Sequence, residues 1–406
     1  MGEEPAARTT PAHPEGTSAS KRTSDRAGKY VRQQEGYYAF LPAPFPPRDL
    51  EIDRDLLLLQ SRADLALGRL FGSTLILPNP DLFVFMYVRR EAVLSSQIEG
   101  TEASLIDILE YEAAQKRRVE RRGDVIEVSN YISAMRYGLE RTASLPLSLR
   151  LIREIHRVLM TRVRGGEPHK TPGEFRRSQN WVGGPSPATA RYVPPPVQQM
   201  PHALDELERF FHDVDGLPPL IKVGLVHAQF ETIHPFLDGN GRVGRLLITF
   251  QLSEAEILRE PILYLSIFFK RHRQEYYDRL QAIRDHGEWE RWLAFFLEGV
   301  ATVAEEATET AKKIVRLREE KRELLAARLG RRSGNGLRLL DHLFQAPYID
   351  VRDAEAATEL SQPAAGALVN SLQEIGVLDE VTGNKRNRVF AFRDYLQLFE
   401  ERESRR

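Results

Sequence analysis

The sequence predicts a mainly α-helical protein: a helical bundle with an inserted β-hairpin, followed by a C-terminal winged helix-turn-helix unit. Apolar residues recur at helical spacing along residues 53–94 and through most of 124–329. One long break in this pattern, residues 165–196, places aromatic and β-branched residues on both sides of a Gly- and Pro-rich turn. Three short helical patterns and a second hairpin pattern follow within 337–392.

The composition is that of a folded protein without a global drive toward nucleic acid or an acidic membrane. The 406 residues include 57 Lys and Arg against 58 Asp and Glu, a net charge of -1, and 42% are hydrophobic. Cysteine is absent, which excludes disulfides, thiolate metal sites and cysteine nucleophiles. No apolar run approaches the roughly 20 residues that span a bilayer, and no signal-peptide pattern opens the chain. We therefore expect a cytoplasmic protein with no membrane partner.

The N-terminal third is predicted to change from a tail to an arm and then to helices. Residues 1–30 are rich in Pro, Gly, Ser, Thr and charge, so we expect a disordered tail. Tyr37–Arg48 contains four prolines, which favour an extended arm over a helix. Helices are predicted over Asp53–Leu70, where leucines form a broad apolar face, and from Pro80 onward. We assign residues 31–123 to this helical region.

Residues 124–301 are predicted to form the core domain, with helices broken at Pro146, at 165–196 and at 235–241. The longest break has the pattern of a β-hairpin that turns near Gly183 and Gly184. Such a segment is either an ordinary surface loop or a functional insertion, since long loops in compact domains are often functional. Periodicity alone leaves both interpretations open.

The C-terminal quarter is predicted to be a connector helix and a separate unit. Residues 302–330 form the connector, a charged helix with its apolar stripe over Ala304–Leu329. Gly330–Gly336 is rich in Gly and Arg and is expected to be a hinge before the unit 331–396. The helices expected in that unit are Leu337–Phe344, Val351–Leu360 and Pro363–Ile375, followed by a hairpin that turns at Gly383.

The predicted wing carries Lys385, Arg386 and Arg388, which are placed to contact phosphates of DNA. The third helix, Ala364–Ile375, contains no Lys or Arg and so departs from a basic recognition helix. DNA binding through residues 331–396 and a protein-interaction or packing role therefore both stay open.

The most informative stretch is the short turn from His234 to Arg245. A helix ends before it and another is predicted to begin at about Arg242, so Gly239, Asn240 and Gly241 are delivered to a helix N-terminus. Backbone N–H groups point outward there and carry partial positive charge, and glycines let the backbone approach an anion. The turn therefore predicts an anion site.

Four side chains of this turn match transfer from a nucleotide polyphosphate. Arg242 and Arg245 are three residues apart and are expected to hold phosphate oxygens from one helix face. Asp238 supplies a hard oxygen ligand for Mg²⁺ held between phosphates. The ordinary pKa of His234 suits removal of a proton from an incoming hydroxyl. No protein nucleophile is needed for such a transfer.

His234 to Arg245 resembles the full signature of Fic domains, and the resemblance extends over about Tyr37 to Leu297. It implies a Fic-type helical bundle and transfer of AMP from ATP and Mg²⁺ to a hydroxyl of a target protein. His234 would be the base, Asp238 the metal ligand and Gly239–Gly241 the anion hole, with Arg245 nearest the γ-phosphate. The nucleotide-binding residues implied within the motif are Gly239, Asn240, Gly241, Arg242, Val243, Gly244 and Arg245.

The resemblance also assigns residues outside the motif. The hairpin resembles the Fic flap, which positions the target segment, and Val182, Gly183 and Gly184 would line its nucleotide side. Tyr276 and Tyr277 match an aromatic pair that commonly borders adenine. The alternative interpretation of that pair is plain packing or surface aromatics.

Ser95, Glu99 and Gly100 resemble the family's inhibitory helix. Taken alone, a helix-borne glutamate is ordinarily a solvated side chain. In the family the glutamate pairs with the second motif arginine and blocks the γ-phosphate, so Glu99 is expected to pair with Arg245 at the edge of the nucleotide site. This position, N-terminal to the core, is similar to the class with an intramolecular inhibitor.

Other transfers stay open within the family. Some Fic relatives move phosphate or phosphocholine, and some remove AMP with the inhibitory glutamate aligning water. The resemblance leaves undecided the identity of the target protein, self-modification and the formation of a homodimer.

Overall fold

A computed structural model describes residues 26–75, 80–114, 123–164, 166–213, 216–258, 262–383 and 387–400 of the chain. The described part is mainly helical, as the sequence predicts. Its helices are α1 Arg54–Leu75, α2 Pro80–Ile98, α3 Leu105–Ala114, α4 Gly123–Thr142, α5 Leu149–Leu159, α6 Met200–His212, α7 Pro219–Ile233, α8 Asn240–Glu254, α9 Ser266–Arg271, α10 Arg273–His286, α11 Trp289–Leu329, α12 Ser333–Gln345, α13 Val351–Thr358, α14 Gln362–Glu374 and α15 Arg393–Glu400. Its strands are β1 Gly28–Arg32, β2 Tyr38–Pro42, β3 Tyr348–Ile349, β4 Asp379–Glu380 and β5 Phe390–Ala391.

Helix α7 is the centre of the bundle. Every residue from Leu220 to Ile233 except Lys222 is buried, and a helix that is covered all round belongs inside a core. It packs against α6, α8, α10 and α11. Because its C-terminal end is fixed on all sides, the turn that follows it has a fixed position.

Helix α8 is the second central element. It is buried over most of its length and packs against α2, α4, α5 and α7. Phe250 is fully buried, and its ring fills the space beside Gly138 of α4. The two central helices therefore present the loop between them from one rigid unit.

The long C-terminal helix differs from the prediction. Helix α11 begins at Trp289 rather than near Ala304 and runs for 41 residues. Trp292, Phe296 and Val300 are fully buried in its first half, where it packs against α1 and α7. The predicted connector is thus the second half of a core helix, because the apolar period continues without a break.

The N-terminal arm is also more ordered than predicted. Strand β1 pairs antiparallel with β2 from Gly28↔Pro42 to Arg32↔Tyr38, so the tail expected over 1–30 is wrong for its last residues. The ring of Tyr30 packs on Phe40, and Phe40 donates a backbone hydrogen bond to Val193 O at 2.9 Å. Residues 1–25 of the predicted tail lie outside the described residues.

The C-terminal unit contains α12 to α15 and a sheet of order β3-β5-β4. Its three predicted helices and the strands of its predicted hairpin are present, and Gly383 has the positive φ of a turn residue. The winged helix-turn-helix assignment remains a prediction, and the wing residues Lys385 and Arg386 lie outside the described residues.

The hinge expected over Gly330–Gly336 is wrong, because a 3₁₀ turn covers Gly330–Arg332 and α12 starts at Ser333. The C-terminal unit packs against α2, α3 and α11, with an aromatic contact of 5.7 Å between Tyr87 and Phe399. Helix α2 therefore lies between this unit and the central helices. Within the described ranges, no helix has the length and apolarity needed to cross a bilayer.

Truncation of Phe250 tests the packing of the two central helices. We expect Phe250→Ala to lower the free energy of unfolding by about 3–5 kcal/mol, because it leaves a cavity between α8 and α4. Leu58→Ala is the control, since Leu58 is 59% exposed, and it should change stability by less than about 0.5 kcal/mol. Urea unfolding followed by circular dichroism measures both, and equal effects would contradict this packing.

Candidate active site

The turn between α7 and α8 forms the floor of a cavity of about 520 Å³. Helix α7 ends at His234, whose φ of 49° places it in the left-handed region. A non-glycine residue rarely adopts this conformation, and such residues concentrate at functional sites. The bend turns the His234 side chain toward the cavity, which it lines.

Two side chains from the base of the long insertion hold this bend. The His234 carbonyl accepts hydrogen bonds from Arg176 Nε and from Asn180 Nδ2, both at 3.1 Å. Asn180 Nδ2 also donates to Phe236 O at 2.7 Å, and Arg176 N donates to Pro235 O at 2.9 Å. Arg176 and Asn180 lie 58 and 54 residues before His234 and belong to no motif, so the sequence alone did not identify either residue.

Asn240 closes the turn on itself. Its side chain accepts from Phe236 N and donates to Phe236 O, each at 2.8 Å. Helix α8 begins at Asn240, two residues before the predicted start at Arg242, because Gly239 adopts a positive φ of 80° as the N-cap. The sequence thus places the glycine where the chain must reverse.

The first turn of α8 presents backbone N–H groups to the cavity. The first intrahelical bond is donated by Val243 N to Gly239 O at 3.0 Å, so the N–H groups of Asn240, Gly241 and Arg242 precede it. The helix dipole adds partial positive charge at this end. A Cβ at Gly241 would collide with Glu99 Oε1, so that carboxylate already lies against the N-terminus.

Glu99 is held at this position by Arg245, as the resemblance implies. Arg245 Nη2 donates to Glu99 Oε1 at 2.7 Å, and the same guanidinium donates to Ser95 Oγ at 2.7 Å and to Ser95 O at 3.0 Å. Desolvation opposes ionisation of Glu99, but the charge and hydrogen bond of Arg245, together with the charge of Arg242, lower the pKa of the carboxyl below its ordinary value. The ion pair therefore occupies the cavity wall with both charges in place.

The placement of Glu99 differs from the expected helix face. Helix α2 ends at Ile98, and Glu99 follows in a turn in which its N–H donates to Ser96 O at 3.0 Å. Gly100 continues the turn with a φ of 97°. Glu99 thus reaches the cavity from just beyond the helix end.

Arg242 and Arg245 turn to different neighbours instead of sharing one face. Arg242 Nη1 lies 3.3 Å from Glu127 Oε2 of α4, and Arg242 Nη2 lies 3.6 Å from Asp238 Oδ1. Arg242 is buried and is not among the residues that line the cavity. Phosphate binding by Arg242 therefore remains a prediction, whereas Arg245 lines the cavity.

Asp238 has the chemistry of a single Mg²⁺ ligand. Its side chain is 40% exposed, and Oδ1 accepts from Gly239 N at 2.6 Å, while Oδ2 lies 3.8 Å from Lys170 Nζ. No cluster of three or more His, Asp or Glu able to hold a metal occurs in the part of the chain that the structure describes. One carboxylate fits a Mg²⁺ that arrives with substrate phosphates, since this ion keeps few protein ligands in such sites.

His234 is neutral near pH 7. Burial lowers its pKa to about 4, and the nearby cations Arg284 and Arg176 contribute in the same direction. A neutral imidazole has a lone pair to accept a proton, so the ring is in the form that a general base requires.

His156 supports the turn from below. Its ring stacks on Phe236 with centroids 3.7 Å apart, and its Nδ1 accepts from Gly173 N at 2.8 Å. The other nitrogen, Nε2, must then carry the proton and donates to Asp238 O at 3.0 Å. Burial lowers the pKa of His156 to about 4, which keeps this single tautomer.

The hairpin predicted within the insertion is present in reduced form, and its role as a flap remains a prediction. The hairpin consists of one antiparallel bridge, Val182↔Tyr192, rather than extended strands. Val182 and Gly183 line the cavity as expected, whereas Gly184 is not among the lining residues and its carbonyl accepts from Trp181 Nε1 at 3.0 Å. The proline- and glycine-rich sequence limits the pairing to this bridge.

The two tyrosines have different roles. Tyr276 is 1% exposed, and its hydroxyl lies 2.9 Å from His227 Nε2. Because His227 Nδ1 donates to Gly244 O at 2.9 Å, Nε2 accepts from the tyrosine. Tyr277 is half-buried, and both rings border the cavity. The packing interpretation thus holds for Tyr276, and adenine contact remains a prediction for the pair.

The structure brings most of the predicted site residues to one cavity. The predicted residues that line it are Glu99, Val182, Gly183, His234, Asp238, Gly239, Asn240, Gly241, Arg245, Tyr276 and Tyr277. Those that support it from outside the lining are Ser95, Gly100, Gly184, Arg242, Val243 and Gly244. Sequence analysis missed Glu231, Arg273 and Arg284, which line the cavity from α7 and α10 and have no local motif.

Comparison with known families identifies two matching segments. Residues 57–140 match the family model described as "Fic/DOC family N-terminal", and residues 146–252 match "Fic/DOC family". The second segment contains α7, the turn and α8 as far as Leu252. Together the two segments confirm the resemblance drawn from the motif.

Curated relatives named protein adenylyltransferase match part of the chain. A "Protein adenylyltransferase Fic" of Aedes aegypti is 33% identical over 154 residues, covering 37% of this chain and 27% of the relative. A protein of the same name in Drosophila erecta is 28% identical over 206 residues, covering 49% of this chain and 38% of the relative. The match thus spans well under half the length of these relatives.

The fold resembles that of a Fic family protein from Desulfovibrio desulfuricans G20. The TM-score is 0.56 at 18% identity, and the alignment covers 84% of this chain and 97% of that chain. At this identity the similarity concerns the fold, including its mainly helical architecture.

Removal of the Asn240 amide tests how the turn is held. We expect Asn240→Ala to lower the free energy of unfolding by about 1–3 kcal/mol, because the buried Phe236 N–H loses its acceptor. Gln274→Ala, on the exposed face of α10, is the control and should have little effect. Chemical unfolding measures both variants, and a neutral Asn240→Ala would show that the turn does not depend on this side chain.

Proposed function

Since the chain belongs to the Fic/DOC family, we propose that it is a protein adenylyltransferase that transfers AMP from ATP to a hydroxyl of a target protein. The observation that supports this most directly is the cavity that joins a helix N-terminus, Arg245, Asp238 and the neutral His234. The first two stabilise phosphate charge, the third suits Mg²⁺, and the fourth accepts a proton. The names of the curated relatives agree with this activity.

Different residues of the cavity bind the phosphates and accept the proton. The N–H groups of the first turn of α8 and Arg245 bind and orient the phosphates. Asp238 would hold a Mg²⁺ that arrives with the nucleotide, and this ion would neutralise phosphate charge. His234 takes the proton of the target hydroxyl, whose oxygen attacks the α-phosphorus, and pyrophosphate leaves. The bridge Val182↔Tyr192 lies beside this cavity and offers a backbone edge to a target segment.

Glu99 restrains this activity in the arrangement described. Its carboxylate lies where the first turn of α8 and Arg245 would receive a phosphate, so the nucleotide must displace it. The Glu99 carboxylate and a phosphate cannot occupy this cationic site at the same time. The proposed enzyme is therefore autoinhibited by its own N-terminal region.

Removal of AMP is the second candidate, and one observation favours it. Glu99 remains 36% exposed and lines the cavity, where its carboxylate is able to orient a water molecule. Mass spectrometry of an AMP-modified target protein, incubated with the wild-type chain, distinguishes loss of AMP from gain of AMP, while a mass increase of phosphate alone indicates another transfer. Self-modification, a homodimer, DNA binding through 331–396 and a cytoplasmic location all remain predictions.

The first test removes the inhibitory side chain of Glu99. We expect Glu99→Gly to increase incorporation of AMP from labelled ATP about 10- to 100-fold, because a charge-assisted bond worth about 1.5–3 kcal/mol no longer competes for Arg245. Glu102→Gly, an exposed neighbour in the same segment, is the matched control and should leave incorporation unchanged. Equal incorporation by the wild-type and Glu99→Gly proteins would contradict autoinhibition.

Removal of the base is the second test. In the Glu99→Gly background, we expect His234→Ala to lower AMP transfer by about 10²- to 10⁴-fold while ATP binding is retained. Initial rates of label incorporation and calorimetry with ATP and Mg²⁺ separate the two effects. Undiminished transfer by the His234→Ala protein would overturn the assignment of the base.

A further inference from the structure

The carboxylate of Glu231 lies beside the imidazole of His234, the proposed base. Glu231 lies one helical turn before His234, and Glu231 Oε2 is 3.8 Å from His234 Nδ1. Glu231 is 7% exposed. His234 Nδ1 and Glu231 Oε1 both lack a hydrogen-bond partner among the described residues. Buried polar atoms without partners are rare and costly, so this arrangement needs an explanation.

Helix α8 leaves room for this carboxylate. An ideal Cβ placed on Gly244 would lie 2.5 Å from Glu231 Oε1, which is closer than real Cβ contacts allow. The Glu231 carboxylate therefore packs directly against the backbone of α8 at Gly244, where a larger residue would push the carboxylate away.

The charges around the pair do not neutralise Glu231 directly. Arg245 donates to Ser95 and Glu99, and Arg284 Nη2 donates to the backbone carbonyl of Glu231 at 3.3 Å rather than to its carboxylate. The titratable and charged groups that face the pair are Glu99 of the turn after α2, Arg245 of α8, Tyr276 and Arg284 of α10, and Arg176 and Tyr192 of the insertion. His234 Nδ1 is the group toward which the free carboxylate points.

We propose that Glu231 is a positioning residue for His234: its carboxylate accepts a hydrogen bond from the Nδ1–H group when the 3.8 Å separation contracts, which leaves the Nε2 lone pair for the incoming hydroxyl. The proposal deepens the proposed function and rests on it for its kinetic consequences. A backbone acceptor competes for the same role, because the Glu231 carbonyl also faces the imidazole.

The proposed transfer of AMP needs no reactant besides ATP and the target hydroxyl. The target oxygen bonds to the α-phosphorus, the bond from the α-phosphorus to the bridging oxygen breaks, and pyrophosphate leaves with that electron pair. The hydroxyl proton passes to His234 Nε2, and the imidazolium then carries two N–H groups. Glu231 holds the Nδ1–H throughout and compensates the new positive charge, after which the Nε2 proton returns to solvent.

The pair predicts a specific pH dependence. Burial raises the pKa of Glu231 to about 7. The negative charge of Glu99 also raises this pKa, whereas the positive charge of Arg245 lowers it. Below this pH the carboxyl is protonated and no longer compensates the imidazolium, so the rate constant should rise through about pH 7 and level off above it. His234, with its pKa lowered to about 4, is already neutral over this range.

The kinetic test uses the full chain with Glu99→Gly, so that the brake is absent. Glu231→Gln keeps the size of the side chain and removes its charge; we expect kcat to fall about 10- to 100-fold, KM for ATP to stay within about threefold, and the rise of the rate with pH to disappear. In the Glu99→Gly background that rise lies at a lower pH than in the intact chain, because Glu99 no longer raises the pKa of Glu231. Glu275→Gln, at an exposed position of α10, is the matched control and should keep the profile of the Glu99→Gly protein. An unchanged kcat, or the same rise with pH in Glu231→Gln, would overturn the proposal.

An NMR measurement tests the pair without any activity. In protein labelled with ¹⁵N-histidine, the His234 signal is assigned by its loss in His234→Gln, and we expect the Nδ1–H tautomer. Glu231→Leu should convert it to the Nε2–H tautomer that free imidazole side chains prefer. Retention of Nδ1–H in that variant would show that the Glu231 carbonyl, not the carboxylate, orients the ring.

The two arms separate this proposal from the proposed function. A tautomer that depends on Glu231, in a chain whose Glu99→Gly variant transfers no AMP, would support the positioning role and overturn adenylyl transfer. Circular dichroism checks that each variant is folded. If Glu231→Leu does not fold, the isosteric Glu231→Gln still tests the proposal.

Discussion

The structure depends on one electrostatic constraint: the N-terminus of α8 and the guanidinium of Arg245 need a negative charge beside them. Glu99 supplies that charge, at 2.7 Å from Arg245 and against Gly241. Because the charge comes from the loop that ends α2, the same contact occupies the cavity wall at the N-terminus of α8 and fastens the N-terminal region to the core. Whatever moves α2 therefore changes the affinity of the cavity for an anion.

The scaffold converts this constraint into a site with fixed geometry. Helix α7 is buried on all sides, so the left-handed bend at His234 is stabilised by its surroundings despite its unfavourable φ. Hydrogen bonds from Arg176, Asn180 and Asn240 then fix the carbonyl groups that follow. The same burial keeps His234 neutral, so the rigidity of the bundle and the protonation of the base have a common physical cause.

Sequence reasoning predicted the features that are local in the chain. The motif residues, the helices around them and the pairing of Glu99 with Arg245 follow from spacing or from the resemblance it revealed. Sequence reasoning failed where tertiary contacts determine the structure. Helix α11 starts in the core, β1 is ordered by its pairing with β2, and the Arg242 side chain pairs with Glu127. Glu231 was missed because a glutamate inside an apolar helix has no signature until its neighbour is known.

A double-mutant cycle of nucleotide binding tests the central claim most directly. Calorimetry with ATP and Mg²⁺ measures the dissociation constants of the wild-type, Glu99→Gly, Arg245→Ala and doubly substituted proteins. The account predicts that Glu99→Gly tightens binding about 10- to 100-fold and that this gain vanishes when Arg245 is alanine. An equal gain in both backgrounds, or no binding by the Glu99→Gly protein, would contradict a competition between the carboxylate and phosphate for this arginine.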